Sequence, residues 1–214
     1  MDTPACCVCS QIAGDAANDL IARLLPEQSY VRRILFENDS FAVIPSLGPL
    51  TPGHSLLCPK VHIRSFASLD DALHPQFAVT RATLVDALRS LYRQEVHLFE
   101  HGMARNGDRT LCTVEHAHMH FVPLPEGIEL PLDRFMTFDG SLASLRALTR
   151  DDEYVLYVAP DGSSRVLTSA GGVESQYMRK LIVDHLGQGG EWNWRTAPHA
   201  HAADEAWRRF VNAS

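Results

Sequence analysis

Several features that would place a chain quickly are missing from these 214 residues. No apolar run approaches the roughly 18 residues that a bilayer-spanning helix needs. The first residues show no basic stretch leading into an apolar core, the mark of a secretory leader. Both absences point to a cytoplasmic protein with no membrane partner. Positive charge is not in excess: 26 acidic residues against 19 Lys and Arg give a net charge of −7. That argues against general nucleic-acid binding, while leaving room for a local basic pocket. The spaced, even set of cysteines that staples a small secreted scaffold is also absent. Five cysteines are present, three of them crowded into Cys6-Cys7-Val8-Cys9, so reduced thiols able to bind a metal fit better than a disulfide framework. No internal repeat is evident, and the one biased tract is an Ala/His-rich turn at 197–203. The remaining composition, 45% apolar and 21% charged, is that of a globular chain long enough to bury a sizeable core.

Patterning supplies the elements. A short helix is expected over 15–25, capped by Asp15 or Asn18 and stopped by Pro26. Strands are expected over 30–36 and 41–44, joined by a polar turn, and over 54–58 after a Pro/Gly-rich loop. Phe77, Leu84, Leu88 and Leu91 recur at helical spacing within 69–92. A fourth strand over 95–100 leads to a polar loop containing Asn106-Gly107, and a fifth runs through 112–123. Beyond Pro123 the composition changes: an irregular Pro-rich connection precedes a hairpin over 154–168 about Pro160-Asp161-Gly162. A helix over 173–186 then follows, between Gly171-Gly172 and Gly187. The chain thus divides into 1–125 and an extension, 126–214, whose Trp192, Trp194 and Trp207 imply that it packs.

The chemistry concentrates in His116-Ala117-His118-Met119-His120. Successive strand residues face opposite ways, so all three imidazoles emerge on one side, about 7 Å from one to the next. Three titratable rings on one face form a site rather than a packing arrangement. Cys6-x-x-Cys9 is the second signal: its two-residue gap lets both sulfurs reach one tetrahedral ion, with histidines the expected source of the other ligands. Redox use is the rival, but a redox CxxC opens a helix in a βαβ context, which the pattern does not provide. His54 reads as a packed residue beside the site rather than a ligand. Cys7, Cys58 and Cys112 read as small packing groups.

In order along the chain, Cys6-Cys7-Val8-Cys9, Ile12-Ala13-Gly14-Asp15, the segment from Thr51-Pro52-Gly53-His54 to Pro59-Lys60-Val61-His62, and His116 to Pro123 resemble the histidine-triad superfamily. The resemblance covers roughly the first 125 residues. It implies an α+β fold with a five-stranded antiparallel sheet and flanking helices, commonly a homodimer. It also implies nucleotide chemistry, in which His118 attacks an α-phosphorus and carries a transient nucleotidyl group while His120 stabilises charge or the leaving group. In zinc-containing members, Cys6, Cys9, His62 and His116 correspond to a structural Zn²⁺ site. Departures bear on the substrate. Ser46 stands where an acidic residue commonly grips the ribose. Leu111-Cys112-Thr113 replaces the phosphate loop and keeps only the hydroxyl of Thr113. Glu100 replaces an Asn. In the extension, Ser175, Gln176 and Arg179 would share one face at the start of a helix and could contact substrate phosphate. A nucleotide hydrolase or transferase, a uridylyltransferase-like enzyme acting on a nucleotide sugar, and a non-catalytic nucleotide-binding protein all stand as readings.

Overall fold

The computed structural model describes residues 6–103, 114–168, 173–187 and 190–213. Among the described residues eight strands form one antiparallel sheet: β1 (Phe36–Glu37), β2 (Phe41–Pro45), β3 (Ser55–Pro59), β4 (Glu95–Gly102), β5 (Met119–Leu124), β6 (Met136–Phe138), β7 (Tyr154–Val158) and β8 (Ser164–Thr168). Their spatial order is β1-β2-β3-β5-β4-β7-β8-β6. The α+β antiparallel architecture is as expected, with three further strands. They come from the extension, because β7 pairs along β4 from Leu98↔Val158 to Gly102↔Tyr154.

Each face of the sheet is apolar and each is covered. The period-two alternation of strands sends Val96, Leu98, Met119 and Phe121 to one face, and Phe99, Val122 and Leu124 to the other. Over the first face lie α3 (His74–Tyr92), through Phe77, Leu84 and Leu88, and α4 (Leu142–Thr149), through Leu142 and Leu145. Over the second lies α5 (Tyr177–His185), through Met178, Ile182 and Val183. Among the described residues no helix is long and apolar enough to cross a membrane.

Several local expectations change. The helix expected over 15–25 is shortened to α2 (Leu20–Leu24), and a further helix, α1 (Cys7–Ala13), precedes it. Gly14 ends α1 in the left-handed region, at φ 77°. Asp19, not Asp15 or Asn18, caps α2, accepting from the N–H groups of Ile21 and Ala22. Asp15 is occupied in a local turn with Ala17 and Asn18. The strand expected over 30–36 is reduced to its end. There Arg32 bonds the Ile12 carbonyl and Glu37, and Arg33 turns inward to Asp204. The helix expected from 69 begins at His74, after a 3-10 turn over Asp71–Leu73 capped by Asp70. The Ala/His-rich tract is no turn but the start of α6 (Ala200–Val211). Ala203 and Ala200 pack on Ile21 and Leu25, and Phe210 reaches the main core.

Candidate functional site

Two clusters of side chains meet at the segment leading into β5. Pairing with β3 and β4 begins at Met119 and His120, so His116 and His118 stand on the approach to the strand and only His120 lies within it.

The first cluster joins the start of the histidine segment, and His62 after β3, to the thiols of Cys6 and Cys9. Cys6 precedes α1 and Cys9 lies in its first turn. Cys6-x-x-Cys9 therefore does open a helix, although no βαβ unit surrounds it. Cys9 Sγ lies 3.3 Å from Nδ1 of His62 and 3.3 Å from Nδ1 of His116, while Cys6 Sγ is 3.6 Å from Nδ1 of His116. All four donor atoms lie within 4.8 Å of one another. A tetrahedral ion with bonds of about 2.3 Å to sulfur and about 2.0–2.1 Å to nitrogen puts those ligands roughly 3.5 Å apart. The tautomer also fits. Nε2 of His116 donates to the Pro59 carbonyl at 2.8 Å, which leaves Nδ1 as a lone pair facing the sulfurs. Burial, and then the neighbouring Cys6 sulfur, push the Cys9 thiol up to about 11. A cation among these donors relieves that repulsion. The group can hold a metal ion. Cys7 is not part of it and lines the neighbouring cavity instead.

The second cluster surrounds that cavity. Nδ1 of His118 donates to the His116 carbonyl at 2.7 Å, so the neutral ring carries its lone pair on Nε2. The ring of His120 is 5.0 Å from that of His118 and stacks on Phe99 at 4.2 Å. A proton chain sets its tautomer. The Leu50 N–H donates to Nδ1 of His54 at 3.1 Å, so Nε2 of His54 holds the proton it gives to Nδ1 of His120 at 2.9 Å. His120 is thereby left with a proton on Nε2. Burial first, then the Arg179 charge for His54 and the neighbouring His118 for His120, hold both rings well below the usual imidazole range. Both rings are neutral at neutral pH. His101, buried alongside, accepts the Met178 N–H at 3.2 Å, and burial pushes it down to about 3.

Arg179 brings fixed positive charge to the same cavity. Its Nε donates to the Trp192 carbonyl at 2.8 Å and Nη2 to the Gly48 carbonyl, and its side chain lines the cavity with His118, His120, Ser46 and Trp194. A rigid guanidinium beside a lone-pair imidazole and an imidazole N–H is equipped to receive an anion.

The other substrate candidates are placed differently. Ser46 is at the cavity, with Oγ donating to the Leu47 carbonyl at 3.2 Å. Gln176 is not in the helix: it precedes α5 with φ 63°. Its side chain donates to Asn193 at 2.9 Å and accepts from the Trp194 N–H, holding the segment that carries Trp194 to the cavity. Glu100 is not brought to the site. One residue along β4 from Phe99, it points to the opposite face, where it accepts from the Phe66 N–H at 2.8 Å and from the Tyr154 hydroxyl at 2.6 Å. Thr113 lies outside the described residues. His54, read from the sequence as a packed residue beside the site, is bonded to His120, and no motif marks His101; only contacts across strands reveal these two as neighbours of the cavity.

The chain is thus of α+β class, an antiparallel sheet with clustered imidazoles beside a Cys/His group that could hold a metal ion. Residues 28–127, a little under half of the chain, match the HIT domain family model. It is 25% identical over 118 residues to Protein hit of Bacillus subtilis, a match covering 55% of this chain and 70% of that one. A Hit-like protein involved in cell-cycle regulation from Bartonella henselae is 26% identical, with 52% of this chain and 82% of that one covered and a TM-score of 0.36. A Zn-bound histidine triad family protein from Mycobacterium smegmatis is 23% identical, with 67% and 91% covered and a TM-score of 0.43.

Proposed function

We propose that this protein is a nucleotide-derivative phosphohydrolase or nucleotidyl transferase working through a covalent His118–nucleotidyl intermediate. The HIT-domain match supports a nucleotide-binding hydrolase or transferase in general. The observation that carries the finer reading is the bond from Nδ1 of His118 to the His116 carbonyl, which reserves Nε2 as a nucleophile at a cavity holding Arg179 and His120. Nε2 attacks the α-phosphorus, a P–N bond forms, and the bond to the leaving group breaks with its electron pair. The Nε2 proton of His120 is hydrogen-bonded to the leaving atom or a non-bridging oxygen, and Arg179 balances the phosphoryl charge. Water, or an acceptor such as a sugar phosphate, then takes the nucleotidyl group and restores the imidazole.

Residues 1–125 act as the catalytic unit, and 126–214 complete its cavity through Arg179 and Trp194. The metal of the Cys6, Cys9, His62 and His116 group is read as zinc: two sulfurs and two imidazoles fill a tetrahedral shell, leaving a structural role. Its contribution is to pin the His116 backbone, whose carbonyl orients His118. A cytoplasmic setting keeps such thiols reduced.

The test is a panel of nucleotides and nucleotide sugars, with turnover and a phosphorus adduct on His118 read by mass spectrometry. His118→Asn is expected to abolish both while leaving the circular dichroism unchanged. Full turnover in that variant refutes the mechanism, and tight binding with neither adduct nor turnover assigns a non-catalytic role.

A further inference from the structure

The strand order reads the same from either end about one pair. From β3 the sheet runs β3-β5-β4 and then β7-β8-β6. Chain connectivity matches as well: β3, α3, β4, β5 in the first half and β6, α4, β7, β8 in the second. One row of paired residues crosses the whole sheet, Leu56–His120–Phe99–Tyr157–Arg165–Thr137. A two-fold axis between Phe99 and Tyr157 exchanges β4 with β7, β5 with β8 and β3 with β6. It runs through the sheet from face to face, because α3 and α4 pack into the same core on one side. The sequence shows none of this. His120 exchanges with Arg165, and counting back two residues at a time His118 exchanges with Ser163 and His116 with Asp161. A cavity persists at the related position, lined by His97, Tyr157, Asp161, Ser163 and Arg165, without a histidine triad.

We infer that residues 136–168 are a degenerate second copy of the unit that carries the histidines, folded onto β4 in the place a second chain would take, so that β4 pairs within one chain. The physical argument is the edge. With β7 removed, β4 would present unpaired N–H and C=O groups along 98–102, a template for pairing with another copy of itself about a two-fold axis. The chain satisfies those groups internally and in the same symmetry. The homodimer implied by family resemblance is thereby replaced at this edge. The chain continuing from the second unit crosses back to bring Arg179 and Trp194 to the histidine cavity.

The inference stands whether or not His118 carries a nucleotidyl group, and its test reads no activity. Sedimentation equilibrium over a wide range of concentration is expected to give the mass of one chain throughout. Hydrogen exchange is expected to show amides 98–102 protected to the same degree at every concentration. A two-chain mass across the range overturns the inference, as does protection of 98–102 that falls on dilution.

Discussion

Glu100 separates a structural carboxyl from a substrate contact in a way that can be measured. It is completely buried on the face of β4 opposite the histidines, bonded to the Phe66 N–H and the Tyr154 hydroxyl. Burial outweighs both hydrogen bonds and lifts its pKa from 4.5 to about 7. A carboxyl whose folded pKa is raised binds protons more tightly in the native state, so its contribution is fully present below about 4.5 and is lost as pH rises through 7. At roughly 1.4 kcal/mol per tenfold change, the displacement is worth about 3 kcal/mol in all, and most of it disappears between pH 5 and pH 8. Glu100→Gln keeps the shape and removes the titration. Its amide cannot accept from both Phe66 and Tyr154, so a uniform cost of about 1–3 kcal/mol is also expected. Urea unfolding of both proteins at intervals from pH 5 to 8 tests this. The buried histidines titrate in both and cancel in the difference. The gap between the two proteins should narrow by about 2–3 kcal/mol as pH rises. Parallel stability curves would refute the reasoning, and a loss of substrate affinity without any change in slope would return Glu100 to the binding site.

The other expectations concern the metal group, the cavity cation and the docking of α6. Elemental analysis should find about one zinc per chain, lost in Cys9→Ser, and a chelator should lower the melting temperature of the parent protein but not of that variant. Arg179→Met should lower turnover by about 10²-fold, the order seen when a preorganised charge-stabilising donor is removed, with Arg179→Lys recovering part of it in steady-state kinetics. Arg33 and Asp204 form a buried ion pair at 2.6 Å, with Arg208 on the second carboxylate oxygen. Asp204→Ala strands the Arg33 charge and should cost about 3–5 kcal/mol in denaturant unfolding. Although burial pushes Asp204 up, the bonds from Arg208 and Arg33 hold it below its ordinary value. Its contribution is therefore present above pH 3.8 and lost as pH falls through the folded value.

The elements legible in the sequence are those whose side chains repeat with the period of their backbone. Phe77, Leu84 and Leu88 mark one face of α3 because a helix returns to the same side every three to four residues. The alternation of β5 sends Met119 and Phe121 inward and His120 to the other face. Cys6-x-x-Cys9 marks a group able to hold a metal because a single turn of chain sets its spacing. By contrast, α6 begins in Ala200-His201-Ala202, whose small residues carry almost no periodic signal, and it is fixed by Asp204 meeting an arginine 171 positions away. Likewise, Gln176 looks helical in sequence, yet it takes a left-handed backbone while its side chain ties down Asn193 and Trp194.

The sequence by itself determined the residues of the candidate site: three alternating histidines and the paired thiols, within each of which the positions are set by a few bonds of local chain. Only the tertiary structure decided what surrounds them. It directed Glu100 away from the histidines, since neighbouring strand residues face opposite sides. It joined Leu50, His54 and His120 into one proton chain, and carried Arg179 to the cavity from the far half of the protein. It also closed β4 with β7, in a symmetry that lives in strand pairing and leaves no trace in the identity of the side chains.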